Sequence, residues 1–391
     1  MEILKSNEIL QQIKESLLVE EEEKIESVNY SDEQRKILEK AEDKELLSIE
    51  EQIMYLDMKG IGSGGYTIND IKTILSSSTY YYKLTVYRKN FKKKSNGKYE
   101  NLNIQILKDL SNIDMELRYL CMKFTLDIEH ILKTNLISSI TDDLNIDGYD
   151  IVDSFNKFQE DKNKAYLDKQ LKFNNITIEE HGDRIASYEK YTNSIIKKCN
   201  RGKGFDKELY EKYKDRMPIW VMIEIMSYDN LVSFIEFYYN FEEEIDGEKK
   251  KMFNANHFRD ASIFLKYSKN IRNCSAHSRP IIHDITELNQ IKSNTSKRTV
   301  HTKLKNYGID KLKLEKEIVN NSFTNWKIHD LLSTMLLHDK YVTNKDLRKQ
   351  RKHDLYILFK RFYKNRKLYS NNSEFVDISK IMMNVVKFYN I

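Results

Sequence analysis

Two prolines and eleven glycines are all that interrupt 391 residues. Helix breakers this scarce, with apolar residues spaced by threes and fours rather than alternating, predict a mostly α fold. Cysteine is scarce too. Cys121, Cys199 and Cys274 are odd in number and far apart, which fits neither a disulfide framework nor a zinc site and leaves reduced thiols as the reading. No run of eighteen apolar residues is present, so no membrane span is expected. Met1-Glu2-Ile3-Leu4-Lys5, followed by an acidic stretch, lacks the basic flank and apolar core of a secretion signal, and a cytoplasmic protein is expected. The length suffices for a large core, as one big or two ordinary domains.

The net charge of +5 conceals opposite ends. Residues 1–60 hold 8 Lys and Arg against 17 Asp and Glu, a net of −9, whereas residues 292–391 hold 22 against 9, a net of +13. A basic end of that size invites a polyanion, usually nucleic acid. Part of the lysine excess also fits the codon bias of an AT-rich genome.

Residues 1–45 read as an acidic helical hairpin or extension, with Glu20 to Glu23 as a solvated face. Leu46 to Lys59 reads as a short amphipathic helix stopped by Gly60. The glycines at 62, 64 and 65 form a flexible loop, not a phosphate loop, because no lysine-serine/threonine ending follows. Thr79 to Phe91 is rich in tyrosine and leads into Lys92, Lys93 and Lys94. Such a stretch can stack bases and neutralise phosphates, but core packing of Tyr81, Leu84 and Tyr87 with the lysines in water is favoured. From Asn103 to Ile140 the stripe Ile106, Leu110, Ile113, Leu117, Leu120, Phe124, Ile128 and Ile131 predicts a long helix. Asp114 with Arg118, and Glu129 with Lys133, are expected beside that stripe as i,i+4 ion pairs worth tenths of a kcal/mol.

Residues 141–216 read as a polar insertion carrying one or two surface helices. Pro218 then opens an almost wholly apolar helix from Ile219 to Met226. Its one charge, Glu224, is expected to require a cationic or hydrogen-bonding partner, naturally an arginine. A charged loop from Glu242 to Lys251 precedes a helix from about Phe258 to Ser278, which Pro280 should end. Residues 291–391 read as a basic helical region of about three helices, including Trp326 to His338. Arg348, Lys349, Arg351, Lys352, Lys360, Arg361 and Lys364 are candidate phosphate contacts, as are Lys92 to Lys94.

Chemistry concentrates in Asn270-Ile271-Arg272-Asn273-Cys274-Ser275-Ala276-His277. On an ideal helix Arg272 and His277 lie about 140° apart, while Asn273 and His277 share a face. A guanidinium grips phosphate at two points, and an imidazole exchanges protons near neutrality. RNA carries its own nucleophile, the 2′-hydroxyl. Its cleavage needs a base, an acid and positive charge on the phosphoryl oxygens. One copy offers one histidine; two copies about a two-fold axis would offer both. By spacing alone, a lone histidine near a helix end is more often structural than catalytic. No other histidine spacing puts two on one helical face, so neither a metal site nor a cofactor is expected.

At this motif the chain resembles the Abi-like family of abortive-infection proteins, of the AbiD/AbiF type, within the HEPN superfamily. Ile53 to Gly60 resembles the family's opening helix, Tyr81-Tyr82-Lys83-Leu84 with Tyr87 and Phe91 its aromatic segment, and Asp114 to Arg118 with Ile128-Glu129 its first long helix. Pro218-Ile219-Trp220 with Glu224, and Arg272-Asn273 through Ala276-His277, complete the order over roughly residues 46–290. Ser278-Arg279-Pro280 departs from the family's common histidine-serine-arginine continuation, and Tyr228-Asp229 stands where phenylalanine-glycine is common. The resemblance implies an all-α HEPN-type helical bundle with additional helices at both ends. It also implies a homodimer and a metal-independent endoribonuclease with Arg272 and His277 catalytic and Asn273 supporting them. Glu224 and Arg279 are possible supporting residues. Phage defence by growth arrest, as abortive infection or a toxin-antitoxin pair, is implied as well, with a structured noncoding RNA as partner. The other reading is an RNA-binding protein that holds such an RNA, its nuclease silent or absent.

Overall fold

The computed structural model describes residues 30–143, 146–285 and 299–389. The Glu20 to Glu23 run and most of the acidic extension lie outside the described residues. Among the described residues the fold is all-α apart from one small hairpin. Among the described residues no helix is long and apolar enough to cross a membrane.

Helix starts follow from local chemistry. α1 (Asp32–Glu42), α2 (Ile49–Met58) and α3 (Ile68–Thr73) each open on a Ser or Thr whose side chain accepts from the third backbone N–H. The side chain of that third residue bonds back to the cap: Ser31 with Gln34, Ser48 with Glu51, Thr67 with Asp70. α4 (Tyr81–Thr85) runs into a 3₁₀ turn at Val86–Asn90. α5 (Ile104–Asp142) is the long helix the apolar stripe predicts. Then come α6 (Asp150–Lys172), α7 (Ile178–Ala186), α8 (Tyr191–Arg201), α9 (Phe205–Tyr213), α10 (Ile219–Ile225) and α11 (Tyr228–Asn240). The hairpin β1 (Glu242–Ile245) and β2 (Glu248–Lys251) precedes α12 (Arg259–Ala276). The C-terminal region holds α13 (Thr302–Asn306), α14 (Lys316–Ser322), α15 (Trp326–Tyr341), α16 (Lys345–Lys364) and α17 (Ser373–Phe388).

Contacts group the chain into two compact units. One comprises residues up to Leu120, Cys274–His329 and Arg351–Ile391. Its core holds Leu84, Tyr87, Leu107, Leu110, Leu314, Phe323, Phe362 and Tyr369, with Tyr369 stacked on Phe362 at 5.4 Å between ring centres. The other comprises Cys121–Asn273 and Asp330–Gln350. It is built on an aromatic cluster in which Phe155 of α6 meets Phe234 and Phe237 of α11 at 5.1 and 5.3 Å, and Phe237 meets Phe253 at 5.5 Å. Such ring pairs add roughly 0.5–1.5 kcal/mol each beyond their burial.

Four expectations need correcting. The polar stretch 141–216 contains α6 to α9, four helices rather than one or two, because Ile151, Val152 and Phe155 give α6 a buried face that its many charges hide from composition. The charged loop at 242–251 is a hairpin. Glu242, Glu243 and Glu244 face Lys251, Lys250 and Lys249, and Asp246 and Gly247 both take positive φ in the turn. The described residues from 299 to 389 form five α-helices rather than three. Glu224 is exposed, so its carboxylate needs no buried partner; its carbonyl, with that of Met226, accepts from Lys133 Nζ.

Candidate functional site

α12 ends through a backbone device. Ser278 N–H donates to Ser275 O at 3.2 Å, Arg279 N–H donates to Cys274 O at 2.8 Å, and Ser278 takes φ 53°. These are the two bonds of a Schellman cap, with serine in the left-handed position where glycine is usual. His277 is thereby the C-cap residue, its side chain exposed. Pro280 follows two residues after the left-handed serine and prevents the helix from resuming.

The loop beyond is clamped. Asp114 Oδ1 accepts from Ile281 N–H at 2.7 Å and from Ile282 N–H at 2.8 Å. Its Oδ2 lies 3.0 Å from Arg118 Nε, and the side chains are 0% and 7% exposed, so this pair is interior rather than a flanking surface pair. Burial pushes the Asp114 carboxyl up, while the two amides and Arg118 pull it down. Asn90 adds a second clamp, donating from Nδ2 to Ile282 O and accepting at Oδ1 from Ile285 N–H, each at 2.9 Å. Lys83 Nζ donates to Ser278 O. Lys327, 2% exposed, donates to His283 O, and burial pushes its ammonium down to about 7. The His283 imidazole is likewise pushed down, to about 4, first by burial and then by Lys327.

Upstream, Asn270 Nδ2 donates to Asp330 Oδ2 at 2.8 Å, fixing α12 to α15. Arg272 is half-buried. Its Nη1 donates to Asn273 Oδ1 at 3.2 Å, and its buried Nε has no hydrogen-bond partner among the described residues. No described carboxylate pairs with it either. A cation in that condition lacks its counter-charge, and a phosphate would supply both the charge and the acceptor.

The remaining candidates divide. Arg348 pairs with Asp339 at 2.6 Å, Arg351 with Asp354 at 3.3 Å, and Arg361 with Glu116. Lys349, Lys360 and Lys364 are exposed and Lys352 is half-buried. Lys92 to Lys94 are exposed on a turn closed by a bridge between Lys93 and Tyr99. Leu84 and Tyr87 are fully buried, Tyr81 is half-buried, and Tyr80 and Tyr82 are exposed. Arg279 is exposed next to the cap. Sequence reasoning named Asp114 only as the partner of Arg118 and missed its hold on the loop, and it missed Asn90 and Lys327. For Asp114 a signal existed: it continues the buried row Leu107, Leu110, Arg118, Cys121 by helical spacing.

The profile of the Abi-like protein family matches residues 74–283, a span that includes the aromatic segment, α5, the α10 start and the whole Arg272 to His277 motif. No curated protein and no solved structure gives a significant match. The matched span covers more than half of the chain, and the protein belongs to the Abi-like family.

Proposed function

We propose that this Abi-like protein, whose family membership points to abortive infection and phage defence, is a HEPN-type, metal-independent endoribonuclease acting as a homodimer, in abortive infection or as the toxin of a toxin-antitoxin pair. One observation carries the reading. Arg272 is drawn partly into the protein with no acid partner, five residues before an exposed histidine on a clamped helix cap. That combination costs stability unless an anion is bound there.

In the reaction, the neutral His277 of one copy removes the 2′-hydroxyl proton, and O2′ attacks the adjacent phosphorus. The bond from phosphorus to O5′ breaks, and His277 of the second copy, as imidazolium, protonates the departing oxygen. The products are a 2′,3′-cyclic phosphate and a 5′-hydroxyl. Arg272 neutralises the phosphoryl oxygens as charge builds, and Asn273 holds the guanidinium through its Oδ1. The reactants' own hydroxyl is the nucleophile, so these side chains suffice.

The test is cleavage of RNA by purified protein in the presence of a chelator, with end-group mapping. Cyclic phosphate ends that vanish in His277→Ala, with the oligomeric state unchanged, are the expected result; undiminished cleavage by that variant overturns the assignment. The second reading, a protein that mainly holds a structured noncoding RNA, is favoured by the exposed lysines of α16. It predicts one abundant RNA species copurifying with both wild type and His277→Ala.

A further inference from the structure

α16 sorts its residues by face. Arg351, Leu355, Leu358 and Phe362 point inward, all under 10% exposed, and form one side of the helix. On the opposite side, within an arc about 120° wide at 100° per residue, stand His353, Tyr356, Ile357, Lys360, Tyr363 and Lys364. Tyr356, Ile357 and Tyr363 are 47%, 49% and 47% exposed. The arginines of this helix are matched with acids, whereas Lys360 and Lys364 have no carboxylate partner among the described residues. Asp354 is turned aside to Arg351. A solvated helix face would normally mix both signs of charge; from His353 to Lys364 this one carries no carboxylate, its acid being Asp346 in the first turn, and its lysines alternate with exposed tyrosines.

The face continues past the helix end. Arg366 lies over the Tyr363 ring at 4.1 Å, and a cavity of about 340 Å³ opens beside it. Its floor is the buried rings of Phe362, Tyr369 and Phe375, and Arg366, Lys367 and Lys380 stand at its rim. Lys380 also reaches Asp377 at 3.5 Å. The volume sits at the low end of the range for small-ligand sites, about 300 to 1,000 Å³. An aromatic floor under a cationic rim is what a base with its phosphate would require.

We infer that the outer face of α16 and the adjoining cavity bind a single-stranded segment of RNA. Tyr356 and Tyr363, about 10 Å apart along the helix axis, stack unpaired bases; Lys360, Lys364 and Lys367 neutralise the intervening phosphates; the cavity receives a splayed-out base. The inference rests on the reading that RNA is this protein's ligand, and it adds a site outside the residues the family profile matches. Single strands rather than duplex follow from the rings, because a paired base has no free face to offer them. RNA rather than a lipid surface follows from the apolar content: two tyrosines and one isoleucine, interrupted by a lysine at every turn, give no continuous aliphatic face to insert.

The test uses the full chain and a labelled single-stranded RNA of mixed sequence made with 2′-O-methyl riboses, which no 2′-hydroxyl attack can cut. Wild type should bind it more tightly than the matching duplex. Tyr356→Ala with Tyr363→Ala should weaken single-strand binding at least tenfold with the melting temperature unchanged, both rings being exposed. Lys360→Glu with Lys364→Glu should also reduce the slope of log affinity against log salt by about 1.4, two phosphates' worth. Tyr166→Ala, exposed on α6, should bind as wild type. If wild type binds but the tyrosine pair leaves affinity intact, or weakens duplex and single strand alike, the α16 site is refuted while the RNA reading stands. If wild type binds no RNA, or binds only vesicles containing phosphatidylserine, both fall together.

Discussion

Arg118 and Arg272 are two arginines drawn away from solvent, and they are treated oppositely. Arg118 is 6% exposed and meets Asp114, whose other oxygen holds two loop amides. Arg272 meets only the neutral Asn273 amide and leaves a buried nitrogen unsatisfied. Where a fold supplies the counter-ion itself, the arginine is part of the scaffold. Where it withholds one, the vacancy is complementary to an anion from outside. α16 repeats the lesson within a single helix, with its arginines matched and its outward lysines open.

The largest expected effect is on the scaffold side. Asp114→Ala strands Arg118 in the interior and releases the Ile281 and Ile282 amides. Denaturant unfolding should show a loss of about 3–5 kcal/mol; a loss under 1 would show that Arg118 finds other solvation and would break the contrast. Arg272→Met should do the reverse. Cleavage should fall by about 10²- to 10³-fold, as when one preorganised donor is removed, while stability shifts by less than about 1 kcal/mol. A large destabilisation with cleavage retained would make Arg272 scaffold after all.

The third effect concerns the clamped loop. The His283 imidazole, held down from 6.5 to about 4 by burial, resists the proton that the unfolded chain accepts. The folded state therefore loses stability as pH falls from about 6.5 to about 4, with no further loss from this group below that, at up to about 1.4 kcal/mol per pH unit. His283→Gln should flatten unfolding curves across that window; an unchanged slope would remove His283 from the account. The smallest effect lies in the hairpin. Glu243→Lys sets like charges against Lys250 and should cost about 0.2–1 kcal/mol by thermal melting.

Much of the helical order was legible because it is written in short-range terms. Gly60 marks a helix stop, and the stretch read as helical from Asn103 to Ile140 describes α5 almost to its ends, whereas the helix expected from Leu46 starts only after the Ser48 cap. The motif's location at a helix end was legible from Pro280. The hairpin carried its own signal, Asp246-Gly247 between matched Glu and Lys runs, but with no apolar face its strands resemble any charged loop. α6 was obscured because its buried residues cluster in the first turns, ahead of a long solvated tail. What spacing could not reveal was pairing at a distance. Asp114 and Ile281 are far apart in sequence, and nothing local to either announces that one holds the other. The same holds for Glu224, whose surroundings looked apolar on every side until the neighbouring segments left one open.

The serine in the left-handed cap has an implication for the residue before it. The peptide that carries His277 is gripped from behind by the helical ladder and from ahead by amides docked on a carboxylate, so the point from which its side chain projects is set by main chain alone. An imidazole anchored in this manner meets solvent at the end of a fixed backbone, with no neighbouring side chain on either nitrogen among the described residues.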